Sequence, residues 1–157
     1  MSKKILMIGI FIGILDASAA ITHAYLSARI MPTRIFQYIA SGIMGKVAFE
    51  SLFVPVSLGI AVHFTIAITA TFVFYQAYLR LGLSSSPRFL TGAVFGIGLW
   101  LFMNYIVIPL SLIGTFPKNP VQIMIGLWIH IFVIGIPMEL LVRRVVQKNE
   151  VLKMNNP

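Results

Sequence analysis

The chain has 157 residues, of which 59% are hydrophobic and 10% are charged, and its formal net charge is +8. This composition lies outside the range of soluble domains, and the length leaves no room for a second domain. The absence of cysteine excludes a disulfide, a thiolate nucleophile and a cysteine metal site.

The first predicted element is a membrane-spanning helix over residues 5–28. Crossing a hydrocarbon core of about 30 Å takes about 20 apolar residues, and this run reaches that length. Lys3 and Lys4, the apolar run and the small residues at 17–19 together imitate a cleavable signal peptide. Because the apolar character continues to Met31, we expect an uncleaved signal anchor instead.

The long connection after this span is expected to contain a helix of its own. Between residues 34 and 49, apolar residues recur at helical spacing, while Arg34, Gln37, Ser41 and Lys46 form a polar side. About sixteen residues of this polarity make a poor membrane crossing. The pattern therefore predicts an interfacial or re-entrant helix on the outer leaflet, with a fifth crossing as the alternative.

Three further apolar runs are each long enough to cross a membrane. They cover residues 54–79, 89–113 and 121–142. Across all four runs the charged residues are Asp16 and Glu139. The sequence therefore predicts an all-α, polytopic four-helix bundle that forms one integral membrane domain over residues 1–157. Residues 143–157 form its tail, which we expect to be unstructured from residue 149.

The basic residues cluster at the ends of the apolar runs, where they contact lipid headgroups and set the orientation. If the N-terminus is cytoplasmic, eight Lys and Arg residues lie on the inner side and four on the outer side. We therefore expect both termini in the cytoplasm. The partner of the positive charge is then the lipid bilayer and not nucleic acid.

Small residues in the spans predict close helix packing, because in lipid they let helix backbones approach each other. The glycines expected to do so are Gly9, Gly13, Gly59, Gly92, Gly96 and Gly126. The glycine pair of the first span matches that of the third at an offset of 83 positions, and Gly59 with His63 matches Gly126 with His130 at an offset of 67. The pattern indicates a duplicated helical hairpin whose copies share one orientation. Chance matching among the chain's twelve glycines is the alternative.

Polar residues within the apolar runs form the candidate site. They are Asp16, His23, His63, Asn104 and His130. Counted from the outer helix ends, the last three lie about 13 Å deep, His23 about 8 Å and Asp16 about 18 Å. A carboxylate at this depth costs several kcal/mol unless it is paired, protonated or hydrated, so we expect Asp16 to face the bundle interior. The alternative is that each histidine bonds a carbonyl or hydroxyl of a neighbouring helix and only stabilises packing.

Three functional classes could use this polar layer, and none of them is enzymatic. We favour the handling of protons, ions or small solutes through an outward-opening polar cavity, because histidine titrates near neutral pH and desolvation favours a protonated carboxyl. An accessory or structural subunit, partnered by a second copy or another membrane protein, is the second class. Neither class requires a cofactor or a metal.

The third class is a redox protein with His63 and His130 as axial ligands of a haem. Gly59 and Gly126 each precede one of these histidines by one turn, and they are expected to let the second and fourth spans approach. An intramembrane hydrolase is disfavoured, because acidic residues are few and the histidines lack a ligand-spacing motif such as H-E-x-x-H.

Three short segments in the first half of the chain, 13–16, 37–45 and 59–64, read GILD, QYIASGIMG and GIAVHF. They resemble a group of small uncharacterised bacterial inner-membrane proteins, which is distantly similar to the YagU-like acid-resistance membrane proteins. The resemblance implies a bacterial cytoplasmic membrane and a link to acid or envelope stress. It brings no catalytic residues with it.

Overall fold

The computed structural model describes residues 2–155, with side chains for residues 2–152. The helices of this part are α1 (Lys3–Ala28), α2 (Pro32–Met44), α3 (Phe53–Arg80), α4 (Arg88–Leu110) and α5, which begins at Pro120 and continues to Asn155. All of them except α2 are long and apolar enough to cross a membrane. The protein is therefore an all-α membrane bundle with four spans.

Local signals set the helix ends. At the start of α1, Ser2 Oγ accepts a hydrogen bond from a backbone N–H of the first turn, and Asn119 does the same for α5. Pro120 follows Asn119 in the first turn of α5, where a missing N–H leaves no bond unmade. At the end of α3, Gly82 adopts a left-handed φ of +61°, which reverses the chain toward α4.

The helix predicted within residues 34–49 is α2, and it does not cross the membrane. Its 13 residues span about 20 Å, which is shorter than the hydrocarbon core of about 30 Å. The backbone of α2 lies directly on α3, since a Cβ placed on Gly59 would be 2.0 Å from the carbonyl oxygen of Phe36. Gly59 therefore serves the packing of α2.

Two hydrogen bonds fasten α2 to its surroundings. The buried Gln37 donates from Nε2 to the carbonyl oxygen of Ser51 at 2.7 Å, just before α3 begins. At the other end of α2, the carbonyl oxygen of Gly42 accepts from the backbone N–H of Leu112 at 3.0 Å. Because Leu112 follows α4, the short helix joins the second span to the end of the third.

The four spans form two hairpins, α1 with α3 and α4 with α5, and glycines bring the backbones together in both. A Cβ on Gly9 would lie 2.8 Å from the Cα of Ile68, and one on Gly135 would lie 2.1 Å from the carbonyl oxygen of Gly92. The offsets of 83 and 67 positions relate the first of these contacts to the second.

The same offsets relate a second pair of contacts one turn along. Gly13 lies against Phe64 in the first hairpin, and Gly96 lies against Ile131 in the second. Both hairpins therefore pack in one register, as a duplicated hairpin requires.

The apolar core lies in the half of the bundle that holds the chain termini. Its buried residues are Ile5, Ile8, Ile12, Phe74, Tyr78, Ile134, Met138, Val142 and Val146. In α1 the buried residues end at Gly13, and the segment of α5 from Pro120 to Ile129 contains none. Toward the opposite end, α1 and the start of α5 contribute no buried residues, and the burial there lies between α2 and α3.

The end of the chain differs from the prediction. We expected an unstructured tail from residue 149, but α5 continues to Asn155. Neither Gly nor Pro occurs between Met138 and Asn155 to interrupt the helix. Val142 and Val146 are buried in the core and hold the preceding turns in place. The third span also ends earlier than predicted, at Leu110.

Candidate functional site

Asp16 and His63 lie together where α1 meets α3. Asp16 Oδ2 is 4.0 Å from His63 Nδ1, and 30% of the Asp16 side chain is exposed, whereas the His63 side chain is buried. Local packing explains this arrangement. Gly13 has no side chain, so Phe64 approaches α1 closely and brings the preceding His63 against the same helix.

The second ring nitrogen of His63 defines its hydrogen-bonding state. His63 Nε2 lies 2.8 Å from the carbonyl oxygen of Gly13. Because a carbonyl oxygen only accepts, Nε2 carries the hydrogen and donates it. In neutral His63, Nδ1 therefore presents a lone pair toward Asp16. This bond to a carbonyl on a neighbouring helix is the kind of partner that a purely structural histidine would also have.

His130 is a second histidine near Asp16. It begins a π-helical turn, His130–Gly135, against which α1 packs, and the carboxylate of Asp16 acts electrostatically on it. Its Nδ1 donates to the carbonyl oxygen of Gly126 in its own helix at 2.9 Å. In the neutral ring, Nε2 is then free to accept a proton.

The two histidines do not meet through the glycines that precede them. Gly59 contacts Phe36 of α2, whereas Gly126 contacts Trp100 of α4. The structure thus differs from the expected approach of the second and fourth spans at these glycines. A glycine permits a close neighbour, and the neighbours of these two glycines are α2 and α4.

Asn104 and His23 lie apart from this cluster. Asn104 Nδ2 donates to the carbonyl oxygen of Trp100 in its own helix at 2.9 Å. His23 is half-buried, and its ring makes no hydrogen bond within the described part of the chain. Of the five predicted site residues, the structure therefore brings Asp16, His63 and His130 into one region and leaves these two outside.

Two π-helical turns hold site residues. Asn104 lies in the turn Met103–Val107, and His130 lies in His130–Gly135. Each turn precedes a proline, Pro109 or Pro137. Proline has no N–H to donate and its ring crowds the carbonyl four residues earlier, so the helix widens there. Such widened turns often occur at functional sites.

A further buried polar cluster was not predicted as a site. Glu139 is completely buried, and its Oε1 accepts from Arg143 Nε at 2.6 Å. The remaining bonds of this guanidinium go to carbonyl oxygens of Leu83, Ser84 and Ser86. The sequence did carry one signal for this pair, since an acid and a base four residues apart face each other on a helix.

The best-formed surface pockets lie away from Asp16. One is on α3 between Phe72 and Leu81, and the other lies between Tyr75 of α3 and Leu152 of α5. Neither corresponds to the outward-opening cavity that we predicted. Among the side chains of residues 2–152, no group of three or more His, Cys, Asp or Glu is placed to hold a metal ion.

Comparisons with known proteins add no family to this description. No protein family, curated protein or solved structure matches the chain. The resemblance to the YagU-like proteins therefore stays a prediction. The chain is a multi-pass membrane protein by its four apolar helices, and any statement of activity rests on the geometry of its polar residues.

Proposed function

We propose that this membrane protein handles protons, or a small ion coupled to protons, through the Asp16–His63 pair. The proposal rests on one observation, the 4.0 Å separation between Asp16 Oδ2 and His63 Nδ1. The Nε2 atom of the same ring is engaged by Gly13, so the nitrogen that faces Asp16 is the one without a hydrogen. A carboxylate and an unprotonated imidazole nitrogen both accept protons, and at 4.0 Å a protonated His63 forms an ion pair with Asp16.

A single proton neutralises this pair. On His63 it gives an ion pair, and on Asp16 it gives two neutral groups, so the loaded pair has no net charge in either form. Without the proton the pair carries one negative charge, which costs several kcal/mol in a hydrocarbon environment. The loaded pair is therefore the form that suits the membrane.

His130 and His23 supply acceptors on either side of the pair. The free Nε2 of His130 receives the proton when Asp16 releases it, since α1 packs against the turn that holds His130. His23 lies two turns from Asp16 on one face of α1, about 10 Å closer to the helix end. This distance exceeds a hydrogen bond, so the step from Asp16 to His23 requires a chain of water molecules.

The two other classes fit these contacts less well. An accessory subunit needs no ionisable group in the membrane, and Asp16 is expensive there. Haem ligation would require His63 and His130 to face a shared iron, but the glycines one turn before them lie against α2 and α4 and do not bring their helices together.

We also propose that the protein lies in a bacterial inner membrane with both termini in the cytoplasm. The support for this orientation is the excess of Lys and Arg at the ends of the spans near the termini, eight against four. The location and a role in acid or envelope stress follow from the resemblance of the first half of the chain.

Proton uptake into liposomes tests the proposed activity. The purified protein is reconstituted with a trapped pH-sensitive dye, and the external pH is lowered. We expect the Asp16→Asn variant, which cannot ionise, to take up protons no faster than protein-free liposomes. Ser18→Ala is the matched control, because Ser18 lies on the same helix and its hydroxyl donates to the carbonyl oxygen of Ile14 within that helix. Equal uptake by the parent and Asp16→Asn would refute the proposal.

Infrared difference spectra give a second readout of the same pair. A protonated Asp16 contributes a carboxylic acid carbonyl band that grows as the pH falls and is absent from Asp16→Asn. The His63→Gln variant keeps a donor for Gly13 but removes the shared base, and it should shift the pH at which this band appears. A band that titrates alike in the parent and in His63→Gln would show that the two groups act separately.

A further inference from the structure

The buried cluster around Glu139 leaves two polar atoms without partners. Glu139 Oε1 is bonded to Arg143, but Glu139 Oε2 and the hydroxyl of Tyr78 are buried and make no hydrogen bond among the described residues. Both side chains are at most 1% exposed. A buried carboxylate oxygen without a donor leaves a lone pair that can accept one more hydrogen.

Arg143 connects this carboxylate to the loop between the two hairpins. It donates from Nη2 to the carbonyl oxygens of Ser86 at 2.8 Å and of Leu83 at 3.3 Å, and from Nη1 to that of Ser84. One charged side chain on α5 therefore holds three backbone carbonyls of the α3–α4 connection. A guanidinium offers five N–H donors, and this arrangement occupies most of them.

We propose that Glu139 is a proton-operated latch that fastens this loop to α5. When Glu139 is ionised, it compensates the buried charge of Arg143, and Arg143 holds the loop. When Glu139 Oε2 takes up a proton, the guanidinium is left buried without a counter-charge. Arg143 is 5% exposed and is followed by the exposed Arg144, so a short movement carries it to water. The three carbonyls of the loop are then released.

The ionisable groups around Glu139 decide which side chain of the cluster can respond to acid. Tyr78 faces the cluster from α3, and the other charges near Tyr78 are Arg88 at the start of α4 and Glu150 on α5. The first helix contributes apolar Ile5 and Ile8, and its Lys3 and Lys4 are exposed. The arginines keep their charge at all working pH values, and tyrosine is neutral below strongly alkaline pH. Acidification therefore acts on Glu139 and Glu150, of which Glu139 alone is buried.

This inference goes beyond the proposed function and does not require it. The latch lies at the end of the bundle that holds the termini, on the opposite side of the apolar core from Asp16. The loop it holds is the covalent link between the two hairpins. Its release frees the hairpins to move relative to each other at that end.

Spin labels on this cysteine-free chain test the latch. The full-length protein in detergent carries a nitroxide at Ser85→Cys, an exposed position of the loop, or at Lys118→Cys, an exposed position of the opposite connection. When the pH is lowered from about 8 to about 4, near the reference pKa of glutamate, the loop label should become more mobile while the label at residue 118 stays unchanged. An unchanged loop spectrum in the parent overturns the proposal without the need for any variant.

Variants assign the response to its residue. In the Ser85→Cys background, E139Q mimics the protonated acid, so its label should be mobile at every pH. E150Q alters an exposed carboxyl on the same helix and should behave like the parent. A loop spectrum for E139Q that matches the parent at pH 8 contradicts the latch. The D16N variant should retain the acid response, and loss of that response would transfer it to Asp16.

Discussion

Replacing Gly135 by alanine should weaken the contact between α4 and α5, and the structure gives the size of the effect. The new Cβ would lie 2.1 Å from the carbonyl oxygen of Gly92, whereas real Cβ atoms essentially never come closer than 3.0 Å. The two helices must therefore separate by about 0.9 Å at this point. A gap of that size removes a quarter to a half of the attraction of each atom pair across it. Overpacking of this kind costs about 1–3 kcal/mol.

Gly98→Ala is the matched control for this substitution. Gly98 lies in α4, and no atom lies within 4 Å of its added Cβ. Exchange of glycine for alanine in a helix then changes only the intrinsic preference, which favours alanine by up to about 1 kcal/mol. The two variants should therefore change stability in opposite directions. Unfolding in sodium dodecyl sulfate, followed by circular dichroism, measures both. A G135A variant as stable as G98A would refute the packing argument.

Three further outcomes follow from the described contacts. The D16L variant should insert as well as the parent or better, because insertion scales assign about 3 kcal/mol to a central aspartate; its loss from the membrane fraction would contradict this. Reporters placed within residues 84–86 should lie in the cytoplasm and those within 116–119 outside, and an outer location for 84–86 would overturn the topology. R143M should lower the free energy of unfolding by about 3–5 kcal/mol, because it leaves a buried carboxylate unpaired. The exposed R144M should change it by less than about 0.5 kcal/mol, and equal effects would contradict the burial of Arg143.

The helices could be predicted from the sequence, because the length of an apolar run is fixed by the thickness of the bilayer. The four spans were found in this way, whereas α2 was predicted from the helical spacing of its apolar residues, and the fold class is confirmed by the structure. Helix ends were harder to predict. A proline such as Pro137 can end a helix or widen it, and in α5 the helix continued through a π-helical turn.

The partners of individual residues could not be predicted, because they depend on which helices become neighbours. Gly59 indicates that another backbone comes close, but the sequence around Gly59 does not show that this backbone belongs to α2. The Glu139–Arg143 pair is visible as an acid and a base four residues apart. The three loop carbonyls that complete it lie in a distant part of the sequence, and only the fold brings them together.

The duplicated packing register has a consequence for stoichiometry. The offset that relates the first span to the third places Leu99 where the first hairpin has Asp16, while the offset for the partner helices relates His63 to His130. The second hairpin thus has the base without the acid. In this layer Asp16 is the one carboxylate for the two related imidazoles, and of these two only His63 shares its hairpin. The two hairpins therefore share their backbone packing but differ in charge, because only the first hairpin places a carboxylate at this layer.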